Sequence, residues 1–180
     1  GKEICDRWYE EVRDFSEGLA IVIDEDEGCN FINHDGKEIS DRWYHTVYDF
    51  SEGFVAVEDY NNGWNFINRE GKELCDRWYD SAGYFHEGFA RVYDETNGWN
   101  FINREGEEIG DRWYDGAGSF HEGFARVKYK GKLYRLRKDG ILCDFDTKEP
   151  IENSPTQMAE SLINRLVMDV LRENRKRYYL

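Results

Sequence analysis

After each of four Glu-Gly pairs the chain alternates in polarity. Ala20 and Val22, Val55 and Val57, Ala90 and Val92, and Ala125 and Val127 are apolar at one parity. The opposite parity drifts from Ile21 and Ala56 to Arg91 and Arg126. Period two with one wholly apolar parity predicts a strand with that face buried. A turn follows at Glu27-Gly28, Asn62-Gly63, Asn97-Gly98 or Lys130-Gly131. Asn-Gly between strand-like runs is a strong hairpin signal, because both turn positions need positive φ. The returning strand of the second unit is Trp64-Asn65-Phe66-Ile67-Asn68, and a turn at Arg69-Glu70-Gly71 leads to a short strand over Lys72 to Cys75. Each unit is therefore expected to be a three-stranded meander plus a connecting stretch.

The same signals recur every 35 residues. Asp6-Arg7-Trp8-Tyr9 returns as Asp41-Arg42-Trp43-Tyr44, Asp76-Arg77-Trp78-Tyr79 and Asp111-Arg112-Trp113-Tyr114. Glu17-Gly18, Glu52-Gly53, Glu87-Gly88 and Glu122-Gly123 follow, each two residues after Phe15, Phe50, Phe85 or Phe120. Asn30-Phe31-Ile32-Asn33 is repeated at Asn65 to Asn68 and Asn100 to Asn103. A fixed period of this length marks stacked repeats. The units read as 1–35, 36–70, 71–105 and 106–140, the last one residue short and least faithful over Leu133 to Arg137. Gly1 shares the phase of Gly36 and Gly71, so the first residue reads as a point inside a longer protein.

Residues 141–155 read as a linker. The tail is different in kind. Ser154-Pro155-Thr156 offers an N-cap, and Ala159, Leu162, Ile163, Leu166, Val167, Val170 and Leu171 form an i, i+3, i+4, i+7 stripe. The spacing predicts an amphipathic helix over 156–177. It is expected to cap the fourth unit by burying Leu162, Leu166, Val167 and Val170, as terminal repeats need a cover for their apolar end. The fold class expected is all-β, an open array of about four 35-residue three-stranded meanders with a C-terminal amphipathic helix. The divergence of the last unit favours an open, capped array over a closed ring.

The order Asn-Gly-Trp-Asn-Phe-Ile-Asn-x-x-Gly, then Trp-Tyr-Asp, then Phe-x-Glu-Gly-Phe-Ala-x-Val resembles the WG-repeat family of bacterial proteins over roughly residues 1–140. The glycine usual after the repeat Trp is Asn here, at Asn65 and Asn100, and the Trp itself is replaced by Cys29 and Leu133 in the outer units. The resemblance implies a binding role and brings no catalytic residues with it.

Charge sharpens this picture. The chain carries −14 overall, yet residues 1–125 hold 30 Asp and Glu against 11 Lys and Arg, a net −19. Residues 126–140 hold seven basic residues against Asp139, a net +6. The acidic body argues against nucleic acid and anionic lipid as partners, and the basic hairpin is expected to cap or pack against it. No apolar run approaches the roughly 20 residues of a membrane span, so no membrane insertion is expected, and no signal peptide is visible. Cys5, Cys29, Cys75 and Cys143 form no CxxC pair and are expected to be free thiols. That suits a reducing, cytoplasmic setting.

The candidate chemistry is sparse. His86-Glu87 and His121-Glu122 lack the HExxH spacing of zinc sites, and Ser16 and Ser51 stand at the same phase. They read as turn residues. The Glu of each Glu-Gly is expected to accept a hydrogen bond from nearby backbone or an Arg. The Asp-Arg pair in each Asp-Arg-Trp-Tyr has three options: a salt bridge, stacking of the Arg on Trp, or reception of a carboxylate. Trp8, Tyr9, Trp43, Tyr44, Trp78, Tyr79, Trp113 and Tyr114 are the candidate ligand-binding residues. An exposed aromatic row binds sugar faces or small cations, whereas a buried one forms the rungs between repeats, the reading favoured here. An active site needs an unsymmetrical constellation, and a set printed four times at fixed phase suits a recurring interface instead. The expectation is thus a non-enzymatic scaffold that binds another macromolecule, foremost a protein, with no cofactor or metal. The alternative is a glycan or small cationic-ligand module using the aromatic row. Homo-oligomerisation is left open.

Overall fold

The computed structural model describes residues 7–110 and 112–151. The expected helix over 156–177 and Cys5 lie outside them. Among the described residues the elements are all strands. The first sheet holds β1 (Glu11–Val12), β2 (Leu19–Asp24) and β3 (Gly28–Asn33). The second holds β4 (Thr46–Val47), β5 (Phe54–Asp59) and β6 (Gly63–Asn68), and the third β7 (Ser81–His86), β8 (Phe89–Asp94) and β9 (Gly98–Asn103). The fourth has β10 (Gly116–His121), β11 (Phe124–Tyr129), β12 (Lys132–Arg137) and β13 (Leu142–Asp144). Every sheet is an antiparallel meander in sequence order.

The main hairpins are as expected: Val57 pairs with Asn65 and Val92 with Asn100 across Asn-Gly turns. The first strand of each meander is a difference. It comes from the stretch before Phe-x-Glu-Gly, expected as a connection, whereas the predicted short strand after β6 is reduced to single bridges. The cause is a bow in the chain. After β6 it returns beside that strand, bridging Ile67 to Glu73 and Trp64 to Tyr79, but between the bridges two residues on one side face five on the other. The Asp-Arg-Trp motif occupies that bow.

A bow leaves backbone groups of β6 without ladder partners, and buried groups of this kind must be satisfied. The Phe66 carbonyl still accepts from Leu74 N–H at 2.8 Å. The Phe66 N–H on the same edge is taken by Asn65 Oδ1 at 2.7 Å, while Asn65 Nδ2 donates to the Cys75 carbonyl at 2.8 Å. Asn30 repeats both bonds, to Phe31 N–H and the Ser40 carbonyl. Asn100 accepts from Phe101 N–H. All three Asn residues are fully buried. A side chain thus stands in for the missing strand.

The sheets stack face to face. Ile21 and Phe31 on one face of the first sheet meet Val55, Val57 and Ile67 of the second, with Val47 and Phe50 closing the edge. Ala56 and Phe66 meet Ala90, Val92 and Ile102 of the third. Phe101 meets Ala125, Val127 and Leu136 of the fourth. The parity read as variable is therefore the face turned to the next unit. In the fourth sheet that face carries Arg126, Lys128, Leu133 and Arg135. Arg135 holds the place of Phe31, Phe66 and Phe101. It and Arg126 lie over the Phe145 ring, at 4.9 and 5.0 Å. The last face is thus polar, whereas Ala20, Val22 and Ile32 on the outward face of the first sheet are buried beside Tyr9 and Trp43. The segment read as a linker supplies β13, which pairs with β12 through Leu142 and Leu136.

Glycine has a steric role at the hairpin turn. Gly63 has φ +90°, and a Cβ there would lie 2.4 Å from the Tyr79 carbonyl oxygen.

Replacing Asn65 by Ala leaves the Phe66 N–H and Cys75 carbonyl buried without partners. The expected loss is about 2–4 kcal/mol in a urea titration. Asn61→Ala in the exposed turn should stay within about 0.5 kcal/mol of wild type.

Candidate functional site

The recurring polar residues converge on the seams between units, where they form two ladders along opposite edges of the stack. The first starts at the Glu-Gly turns. Glu52 and Gly53 have φ of 55° and 86°, the pair of positive values that a two-residue hairpin needs. Glu in this conformation is unusual, and Asn or Gly would be easier. Its side chain explains the choice. The Glu52 carboxylate accepts from Glu87 N–H at 2.7 Å and Gly88 N–H at 2.8 Å in the next unit's turn. Glu87 accepts from Glu122 and Gly123 N–H at 2.6 and 2.9 Å. Glu17 accepts from Gly53 N–H at 3.1 Å. A cation closes each rung: Arg69 on Glu17 at 2.7 Å, Arg104 on Glu52 at 2.8 Å and Lys138 on Glu87 at 3.0 Å. Both partners expected for this Glu, backbone and Arg, are therefore present at once.

The carboxylates respond accordingly. The Arg69 hydrogen bond holds Glu17 below the usual carboxylate range, and Lys138 does so for Glu87. Partial burial pushes Glu52 up, but Arg104 and the Gly88 and Glu87 amides outweigh it and leave it low.

The second ladder uses the Arg-Trp-Tyr residues. The Arg7 guanidinium sits 4.5 Å from the Trp43 ring centroid of the next unit, and Arg77 sits 4.9 Å from Trp113. Arg42 lies 5.5 Å from Trp78. Each Arg also pairs with carboxylates of its own sheet. Arg7 bonds Asp24 at 2.7 Å and Glu27 at 2.8 Å, and Arg77 bonds Asp94 at 2.7 Å and Glu108 at 2.8 Å. Arg42 is 3.1 Å from Glu73. The planar guanidinium suits this double duty, forking to two carboxylates while its face lies on an indole. Of the options weighed for the Asp-Arg pair, the Arg stacks on Trp and receives carboxylates, which come from elsewhere in the chain and not from the adjacent Asp. The carboxylates come from the hairpin of the same unit and from the segment that returns beside its last strand, 17 to 31 residues away.

The Asp of each hairpin turn is anchored twice over. Asp94 Oδ1 accepts from Thr96 and Asn97 N–H, and Asp59 Oδ1 from Asn61 and Asn62 N–H. Arg7 is the main cause that lowers Asp24, and the Asn61 amide the main one for Asp59.

The candidate aromatic residues separate by type. Tyr44, Tyr79 and Tyr114 are buried, and each exchanges two backbone hydrogen bonds with position 29, 64 or 99 of the preceding unit. Burial pushes the Tyr114 hydroxyl up to about 12. Trp43, Trp78 and Trp113 are half-buried, while Trp8 is 84% exposed. Tyr9 is half-buried and donates to Glu38 at 3.0 Å. His86 and His121 are exposed, and among the described residues no His, Cys, Asp and Glu cluster fit for a metal ion occurs. Cys29, Cys75 and Cys143 are free thiols.

Sequence reasoning treated Asn65 and Asn100 as a departure from a motif, read Asn30 only as part of a recurring signature, and missed the function of all three. A polar residue at three identical phases inside an apolar strand was the available signal.

A family model described as the WG containing repeat matches residues 2–26, 31–64, 64–95 and 99–132, more than half of the chain. No curated protein matches it. Among solved structures, the computationally designed Ika8 protein is similar at 13% identity and TM-score 0.45, over 73% of this chain and 48% of that one. The designed Ika4 protein is similar at 13% and 0.44, over 76% and 98%. BamB from Moraxella catarrhalis is similar at 12% and 0.45, over 79% and 50%. The chain thus spans about half the length of Ika8 and of BamB.

Because Glu17, Glu52, Glu87, Asp24, Asp59 and Asp94 are held low, their stabilising contribution is present above the unfolded carboxylate values near about 4. It is lost as pH falls through the lower folded values. A series of urea midpoints should stay level near neutrality and drop below about pH 4. Glu52→Gln should cost about 1 kcal/mol at pH 7 and make the acid loss shallower.

Arg77→Lys keeps the charge but loses the fork and the flat stack on Trp113. A drop of about 1 kcal/mol in stability, with a change in indole fluorescence, is the expected outcome.

Proposed function

This chain belongs to the family of WG-containing repeats, and we propose that it acts as a non-catalytic scaffold that binds another macromolecule, foremost a basic protein segment. One observation carries this reading. The recurring residues with chemical potential are spent on holding units together: Glu on the next turn's amides, Arg on the next Trp, Asn on the bowed backbone. Among the described residues they leave no unsymmetrical group of nucleophile, base and acid in a cleft.

What is left outside the ladders is mainly acidic. Glu25 and Asp26 in the first hairpin turn and Glu95 in the third are exposed on the edge that carries Arg7 and Arg77. The fixed repeat brings such turns to equivalent positions along one edge. A ridge of like charge speeds the encounter with a cationic partner and weakens with salt. The aromatic row offers less for a glycan, because Arg7, Arg42 and Arg77 lie over Trp43, Trp78 and Trp113.

The test is fluorescence anisotropy with a labelled lysine- and arginine-rich peptide at low and high salt. Binding should fall steeply with salt, and the triple variant Glu25→Gln, Asp26→Asn, Glu95→Gln should weaken it about tenfold. No binding at low salt, or equal binding by the triple variant, would overturn the proposal.

A further inference from the structure

The first three sheets each turn one face to the following unit, which covers it. The same face of the fourth sheet is exposed at Arg126, Lys128 and Leu133, the last at 44%. Its residues have changed character. Arg135 stands where Phe31, Phe66 and Phe101 fill a seam, and Arg126 stands opposite it across the β11–β12 ladder. Arg91, the cation equivalent to Arg126 one unit earlier, donates to the Ala117 carbonyl of the next unit at 3.2 Å. Arg126 and Lys128 hold no hydrogen bond or salt bridge among the described residues.

Opposed like charges on a sheet repel, and no carboxylate on this face offsets them. Asp144 in β13 pairs with Tyr134 on the opposite parity and accepts from Asp146 and Thr147 N–H at 3.0 and 3.1 Å. The neighbouring cations are paired: Arg137 with Asp139 at 2.6 Å and Lys138 with Glu87 at 3.0 Å. Solubility does not call for the others, since the rest of a chain of net charge −14 supplies abundant surface charge.

The two guanidinium groups are also held in place. Both lie over the Phe145 ring, Arg135 at 4.9 Å and Arg126 at 5.0 Å. Arg135 Nε donates to the Phe145 carbonyl at 2.8 Å, and its terminal nitrogens have no partner among the described residues. A guanidinium fixed by its base and its flat face presents its remaining donors as a ready fork for a carboxylate.

We propose that this face docks an acidic protein segment, whose carboxylates bridge Arg126 and Arg135 and pair with Lys128, while an apolar side chain of the segment covers Leu133. Size and charge select this partner. The cations span two residues of one strand, about 7 Å, and two strands about 5 Å apart, room for two or three carboxylates. A nucleic acid or an anionic membrane would extend past them and meet the net −19 of residues 1–125. This surface is separate from the acidic edge and opposite to it in sign.

The probe is a fluorescein-labelled peptide of Glu and Asp with one central Leu, followed by anisotropy on the full chain. It should bind at low salt, weaken as salt rises, and raise the melting temperature. Arg126→Gln and Lys128→Gln should each weaken binding about tenfold. Arg126→Gln removes a like-charge opposition, so the free variant should melt no lower than wild type, which separates lost binding from lost folding. The variant Glu25→Gln, Asp26→Asn, Glu95→Gln should not weaken this binding, so the two surfaces stand or fall independently. No binding at low salt, or equal binding by Arg126→Gln and Lys128→Gln, would overturn the proposal. Tighter binding of a single-stranded oligonucleotide or of phosphatidylserine vesicles than of the peptide would do the same. Self-association of the chain alone that Arg126→Gln abolishes would put a second copy in the partner's place and overturn it as well.

Discussion

A sheet of three short strands has two faces and too little area to bury either by itself. That constraint organises the molecule. The second, third and fourth sheets each cover their own apolar parity with the opposite parity of the unit before, so Phe31 belongs to the core of the second unit as much as to the first. The stack is a run of shared cores instead of four separate ones. Local geometry, the placement of charge and the form of the two ends follow from this sharing.

Sharing a core demands that successive sheets lie flat on each other at a fixed phase, and the seams enforce it with polar groups. Along one edge a carboxylate ties the next turn by two amides. Along the other a guanidinium bridges its own sheet to the next indole. Both linkages are directional, unlike the apolar contacts they flank. They also explain two local oddities, a Glu held in a left-handed turn and a bow of the chain around Asp-Arg-Trp. The bow carries Arg and Trp out to the seam, and its backbone cost is met by a buried Asn.

A stack of shared cores has ends, and the two ends differ. At the last unit the residue equivalent to Phe31 is Arg135, which turns an apolar face into a cationic one around Phe145. The first unit keeps the residues of an interior seam, with Trp8, Val12 and Phe15 in place. The strong acidity of the first three units and the basic last hairpin are therefore opposite ends of one object, and the molecule is polar along its axis.

The period, the strand parity and the Asn-Gly hairpins were legible in the sequence because each depends on residues close together in the chain. A two-residue turn needs positive φ, and a half-buried strand alternates, whatever lies beyond. The same locality made the whole of residues 1–140 readable as four copies of one unit. The partners of the repeated polar residues were not legible. Arg7 lies beside Asp6 in sequence but bonds Asp24 and Glu27 and stacks on Trp43, while Glu52 reaches Glu87 and Gly88. The first strand of each meander was read as a connection, because Ser81-Ala82-Gly83-Tyr84 carries no clear alternation and takes its form from pairing with β8. Only the stacked structure decides these points. A contact spanning 35 residues is set by how one sheet seats on another, and no local pattern encodes that distance.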